Sequence, residues 1–359
     1  MTEAKSHRRI LVSPLNWGLG HATRLIPIIR ELTRQGHYVI LAGEGASLSV
    51  LKDAFPELDS LALPGFNVSL SHYQTQWFKL LIQIPNFLKA INKEHSAVNN
   101  LLREHNIDLI ISDNRYGLYS KQVASVIITH QTNPYAGKYF SWMRPLTKML
   151  STFLLNRFDE CWIPDVKSKN NLSGSLSKVT KNLRYKFTGL LSRLGSYPHM
   201  NTKVLTDVLV ILSGPEPQRT QLEEILVYQL KNSSLKTIIL CAQPHRKAEQ
   251  IGNIRLLPHC TAEEHEQLLY NSKYIICRSG YSTLMDLMVC KRTALLIPTP
   301  GQFEQEYLAQ RATALFGFKT ISQNNLKHSN LSDRLIPNTS TNNSIQVHRF
   351  NLPDLPLKK

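Results

Sequence analysis

Ile10-Leu11-Val12-Ser13-Pro14 is a short apolar run, followed by the loop Asn16-Trp17-Gly18-Leu19-Gly20-His21. Beyond the loop, Leu25, Ile28, Ile29 and Leu32 recur at the spacing that places them on one helix face. Gly36 supplies a helix stop, and residues 38–42 form the next strand-like run. A strand, a glycine loop, a helix and a second strand make the repeating unit of a parallel sheet covered on both faces by helices. The same pattern continues at residues 107–112, 125–129 and 160–163. A second series opens near Asp207, with strand-like runs at 208–213, 237–241, 254–257, 274–277 and 294–298. Thr261-Ala262-Glu263-Glu264 reads as a capping box at the start of a helix in that series.

The expected class is therefore α/β, with two Rossmann-like doubly wound domains facing each other across a cleft. Residues 1–187 form the first and 205–325 the second, joined by a Gly/Ser/Pro-containing linker at 188–204. From 326 to 359 a polar tail rich in Asn, Ser and Thr is expected. The 359 residues suit two domains, each large enough to bury its own core.

With 42% hydrophobic and 19% charged residues the chain is not disordered, and no apolar run approaches the ~20 residues of a membrane span. The basic N-terminus lacks the long apolar segment of a signal peptide. Five scattered cysteines, Cys161, Cys241, Cys260, Cys277 and Cys290, show neither zinc-knuckle nor redox spacing and fit reduced thiols in a cytoplasmic protein. The net charge of +16 is uneven: residues 1–190 hold 23 Lys and Arg against 13 Asp and Glu. Within that half, residues 77–93 and 140–157 mix large apolar side chains with lysine and arginine. Such segments either lie at an anionic membrane surface or form core helices whose long side chains reach water. No basic–aromatic motif of a nucleic-acid binder occurs, so nucleic acid is not an expected partner.

Four stretches carry chemistry. In Gly18-Leu19-Gly20-His21, glycines at a helix start let the backbone approach a ligand and leave amides for an oxyanion, with Asn16 beside them. His21 is placed either to take a proton or to cap the helix. Cys277-Arg278-Ser279-Gly280-Tyr281-Ser282-Thr283 follows a strand and offers amides and hydroxyls to a phosphate, and Asp286 is placed to accept a ribose diol. A Pro/Gly turn then leads into Gln302-Phe303-Glu304-Gln305-Glu306, whose amides and carboxylates suit sugar hydroxyls. Ser213-Gly214, after the first strand of the second series, is a third glycine turn at the same strand-end side.

Together, the Cys277-to-Asp286 run and the Pro298-to-Tyr307 run resemble the donor half of family 28 glycosyltransferases of GT-B fold. That family includes the N-acetylglucosaminyltransferase of peptidoglycan precursor synthesis. The opening 16–24 and the stretch 112–119, Ser-Asp-Asn-Arg-Tyr-Gly-Leu-Tyr, are similar to uncharacterised bacterial members of the same type. The resemblance spans most of residues 8–315. It implies transfer of a sugar from a nucleotide-diphosphate donor, such as UDP-N-acetylglucosamine, to a lipid-linked or glycan acceptor. It places Asp286 at the donor ribose, Arg278, Ser279, Gly280, Ser282 and Thr283 at the diphosphate, and Gln305 and Glu306 at the sugar. Family members usually carry two glutamines there, so Glu306 departs from the pattern, and Pro215-Glu216-Pro217 after Ser213-Gly214 is unusual.

His21 is the first choice of general base, with Asp113 and His130 as alternatives. No Asp-x-Asp occurs, so a metal-independent reaction without cofactor is expected, its diphosphate charge met by helix N-termini and Arg278. A membrane-associated enzyme of the cell envelope, working at the inner face, fits this reading. A nucleotide-sugar epimerase and a non-catalytic nucleotide-sugar-binding protein are the competing classes.

Overall fold

The computed structural model describes residues 7–16, 18–65, 76–135, 137, 142, 144–195, 206–214, 216–243, 246–337 and 350–358, with backbone alone over 76–84. The first half runs β1 (Arg9–Pro14), α1 (Leu19–Arg34), β2 (Tyr38–Gly43), α2 (Gly45–Ala54), β3 (Ser60–Ala62), α3 (Gln76–Glu104), β4 (Leu109–Asp113), β5 (Ala124–Ile128), α4 (Arg144–Leu155), β6 (Glu160–Ile163) and β7 (Tyr185–Phe187). The second runs β8 (Thr206–Ile211), α5 (Gln218–Leu230), β9 (Thr237–Leu240), β10 (Glu249–Ile251), β11 (Ile254–Leu257), α6 (Ala262–Asn271), β12 (Ser272–Cys277), α7 (Tyr281–Val289), β13 (Leu295–Leu296), α8 (Phe303–Phe316), β14 (Lys319–Thr320) and α9 (Gln323–Lys327).

Two seven-stranded sheets result, in the orders β3-β2-β1-β4-β5-β6-β7 and β10-β11-β9-β8-β12-β13-β14. All described pairings are parallel except β10 with β11. Strands β4 and β5 are buried at every position, as continuous Ile, Leu and Val runs require when helices cover both faces. In each sheet the chain moves outward and then returns to the other side of its first strand. That reversal falls between β1 and β4, where Pro14 pairs with Asp113, and between β8 and β12, where Ile211 pairs with Cys277. Connections leave such a pair of strands in opposite directions and open a crevice at their carboxyl ends. The glycine loop before α1 and the turn before α7 both start at these crevices.

Two segments differ from expectation. Leu190, Leu191 and Leu194, read as linker, are buried in one hydrophobic cluster with residues of both sheets; residues 196–204 of that stretch lie outside the described residues. Residues 350–358, read as part of a polar tail, lie along the first half. Phe350, Leu352 and Leu355 pack on the core, and Lys358 Nζ is 3.1 Å from the Asp159 carboxylate. The apolar side chains of Phe350, Leu352 and Leu355 account for the difference, because they are partly buried against the cluster. The loop after β4 is fixed from beneath by a buried ion pair. Arg115 Nε donates to Glu94 Oε1 of α3 at 2.9 Å, and its Nη1 donates to Ser13 Oγ of β1 at 2.9 Å.

Candidate active site

The two crevices face each other and touch. At the first, Gly18 precedes α1 with φ of +124°, a conformation natural to glycine alone, and no side chain caps the helix. His21, one turn in, lies beside Asp113 at the end of β4, their Nδ1 and Oδ2 atoms 3.2 Å apart. Arg24 Nε donates to the same oxygen at 2.6 Å, and its Nη2 to Asp113 Oδ1. His21 and Arg24 are three residues apart on one helix face, so a single carboxylate holds both.

Burial alone would raise the Asp113 carboxyl, but Arg24 and His21 keep it below its ordinary value. An ionised Asp113 is an acceptor only, which assigns the proton of His21 to Nδ1 and leaves the Nε2 lone pair available. Burial first, and then Arg24, lower the His21 pKa below 6.5 against the opposing pull of Asp113. The ring is thus neutral at neutral pH and its side chain is 20% exposed.

At the second crevice, Gly280 precedes α7, again with no side-chain cap. Ser282 Oγ donates to Gly20 O at 3.0 Å, so the uncapped starts of α1 and α7 are in direct contact. Two concentrations of positive partial charge therefore converge on one space. Thr283 is in the same first turn of α7. Asp286, a turn further on, has its pKa raised to about 6 by burial, and its Oδ1 accepts the Ser192 hydroxyl at 2.5 Å.

Not every expected side chain faces this space. Arg278 has no solvent exposure, and its two amino groups donate to Ile297 O, Pro298 O, Gln218 O and Gln323 Oε1. Its four terminal hydrogens are engaged in holding the turn before α7. Ser279 Oγ likewise donates to Gln305 O at 2.8 Å. Gln305 is 9% exposed and spent internally, accepting from Thr299 N and donating to Gln302 Oε1. At Ser213-Gly214 the adjoining start of α5 is occupied by the chain itself: the Glu216 carboxylate accepts from Thr220 N and Oγ1. Glu306 is half-buried on α8, and Asn16 packs against Gly45 at the start of α2.

Three residues that were quoted within these stretches but given no individual role complete the site. Arg24 is one, legible only as the partner three residues beyond His21. Glu304 projects from α8 to the first half, where His130 Nε2 lies 2.6 Å from its Oε1 and Gln131 Nε2 donates to its Oε2. Tyr281 stacks on His130 with ring centroids 3.9 Å apart. His130, an alternative base, is therefore committed to Glu304. Among the described residues no three His, Cys, Asp or Glu side chains group as metal ligands.

Residues 229–347 match the model of the glycosyltransferase family 28 C-terminal domain. The chain as a whole has the GT-B fold, since solved glycosyltransferases align along nearly all of it. It is 12% identical to the calicheamicin glycosyltransferase CalG4, with a TM-score of 0.61 over 92% of this chain and 90% of that one. The spinosyn rhamnosyltransferase SpnG, complexed with thymidine diphosphate, is 14% identical with a TM-score of 0.59 over 90% and 89%. MurG of Acinetobacter baumannii is 14% identical with a TM-score of 0.53 over 90% and 89%. No curated protein matches the sequence. Within the matched residues, the turns that precede α7 and α8 approach the first half.

A side chain at Gly20 has no room against that domain: a Cβ there would lie 2.9 Å from Ser282 Oγ and 3.2 Å from its Cβ. Gly20→Val should therefore hold the cleft open, at a cost of about 1–3 kcal/mol for overpacking. Small-angle scattering should show a larger radius of gyration, and adding Ser282→Gly should return it to the wild-type value. An unchanged radius in Gly20→Val would contradict the closed contact.

Proposed function

We propose that the protein is a metal-independent glycosyltransferase that moves a sugar from a nucleotide-diphosphate donor, a UDP-sugar, to a lipid-linked or glycan acceptor. One observation carries the reading: the uncapped starts of α1 and α7 meet beside a neutral His21 oriented by an ionised Asp113. An anion held by the helix starts and a base a few ångströms away are what displacement at a phosphorylated anomeric carbon needs. The thymidine diphosphate in the SpnG complex supports a nucleoside diphosphate as the donor's leaving part.

In this mechanism Asp286 accepts hydroxyls of the donor ribose. The acceptor hydroxyl gives its proton to His21 Nε2 as its oxygen bonds to the anomeric carbon. The bond from that carbon to the diphosphate breaks, with inversion, and the departing charge is taken by backbone amides of the two helix starts. Asp113 stabilises the imidazolium formed. Contact between the halves excludes water and so limits donor hydrolysis.

The acceptor side is suggested by α4. Leu146, Met149 and Phe153 on α4, with Trp142 just before it, are outward apolar side chains, 55%, 65%, 58% and 74% exposed, flanked by Arg144, Lys148 and Arg157. An apolar stripe edged by cations is complementary to an anionic bilayer. The protein would thus work at the inner face of the cell membrane, a reducing compartment in keeping with its five unpaired cysteines. Among the described residues no helix is long and apolar enough to cross a membrane.

Two measurements check this. Acceptor-dependent release of nucleoside diphosphate should fall about 10²–10⁴-fold in His21→Ala. Wild-type kcat/KM should decline on the acid side with a midpoint below 6.5, because protonation removes the base, and this limb should vanish in the variant. Wild-type turnover in His21→Ala would contradict the role. Phosphatidylglycerol-containing vesicles should sediment the wild type and release it at high salt, whereas Trp142→Ser combined with Phe153→Ser should stay in solution. Equal sedimentation of both would remove α4 from the proposal.

A further inference from the structure

The segment that joins the two halves is tied to each of them within a few residues. On the first side, Thr188 N donates to Ile163 O and Gly189 N to Asp165 O, both at 3.0 Å. On the second, Gly195 N donates to Glu266 Oε2 of α6 at 2.7 Å, and Leu190, Leu191 and Leu194 are buried in the shared hydrophobic cluster. Between these ties Ser192 turns its hydroxyl to α7. It donates to Asp286 Oδ1 at 2.5 Å, and its oxygen accepts from Leu194 N at 3.0 Å. The hydroxyl hydrogen is thus committed to α7 and a lone pair to the joining segment.

Asp286 is four residues beyond Ser282, on the face of α7 whose first turn touches the start of α1. One helical turn rises ~5 Å, a span that a ribose bonded to a diphosphate at the helix start covers. Asp286 and Ser192 are both half-buried, so each keeps some surface open to a ligand. Burial raises the Asp286 pKa only to about 6, so the carboxyl is ionised at neutral pH and acts as an acceptor alone. A ribose diol presents two adjacent hydroxyl donors to the two oxygens of one carboxylate. Ser192 already holds one of those oxygens.

We infer that Ser192 is a built-in competitor for the donor: its hydroxyl and the diol of a ribonucleoside diphosphate exclude each other on the Asp286 carboxylate. The inference rests on the proposed place of the ribose at Asp286, and adds a residue of the joining segment to donor selection. Displacing Ser192 lowers the affinity for every nucleotide that carries the diol, and for none that lacks it. It also releases Leu194 N, so donor entry loosens the joining segment where the halves connect.

Calorimetric titration with UDP, GDP, CDP and ADP, each beside its dideoxyribose form, tests this in wild type, Ser192→Ala and Ser192→Thr. The ribonucleotide that binds wild type best should bind Ser192→Ala about three- to tenfold more tightly, with its dideoxyribose form unchanged. Ser192→Thr, which keeps the hydroxyl, should follow wild type. Hydrogen exchange supplies a second readout: the Leu194 amide should exchange faster with that ribonucleotide bound, and slower exchange there would overturn the displacement. Unchanged or weaker ribonucleotide binding in Ser192→Ala, with wild type still preferring ribose, would overturn the inference and leave the ribose at Asp286. Equal binding of both forms by wild type would remove the ribose from Asp286, and the inference with it. If wild type binds none of the nucleotides, the donor assignment fails and this inference falls too.

Discussion

The site depends on one buried charge. Asp113 has no solvent exposure at the end of β4, where an unpaired carboxylate would cost about 3–5 kcal/mol. Arg24 and His21 satisfy it, and both belong to α1. The need to pair Asp113 therefore sets where α1 begins above the first sheet, which tautomer His21 adopts, and how close the ring lies to the cleft. The Arg115–Glu94 pair supports the same loop from the other side, so the carboxylate is fixed before any ligand arrives.

From that fixed point the second half is placed by polar contacts between backbone and side chain. Gly20 O receives Ser282, Pro164 O receives Tyr281, and Ser175 N donates to the Tyr307 hydroxyl. These contacts neutralise none of the positive ends of α1 and α7. The cleft carboxylates Asp113 and Glu304 are already paired with cations or hydrogen-bond donors. The cleft thus keeps a net attraction for an anion while holding a neutral base, a combination that open solvent would not permit.

Much of the fold was legible in the sequence because most of its strands are short runs dominated by apolar residues: residues 160–163 and 254–257 were read with the observed boundaries. The strands that escaped, β3, β7, β10 and β14, have two or three residues each and lie at or next to sheet edges. Their pairing is decided by the neighbouring strand's free backbone groups and leaves no periodicity of its own. At the site, spacing revealed the two glycine turns but not the fate of individual side chains. Arg278 and Arg24 are both arginines within recognisable motifs, yet one is spent on carbonyls and the other on Asp113. Glu304 and Glu306 differ by two residues on α8, and only the first meets donors from the opposite half. That difference depends on β5 and its loop, 174 residues away in the chain.

The central claim is that the paired starts of α1 and α7 hold a nucleoside diphosphate. Thermal unfolding of the protein with UDP, GDP, CDP, dTDP and ADP, each beside its monophosphate, tests it most directly. One diphosphate at ~100 times its dissociation constant should stabilise the fold by about 2.7 kcal/mol, with its monophosphate well behind. A melting temperature unmoved by every nucleotide would contradict the account.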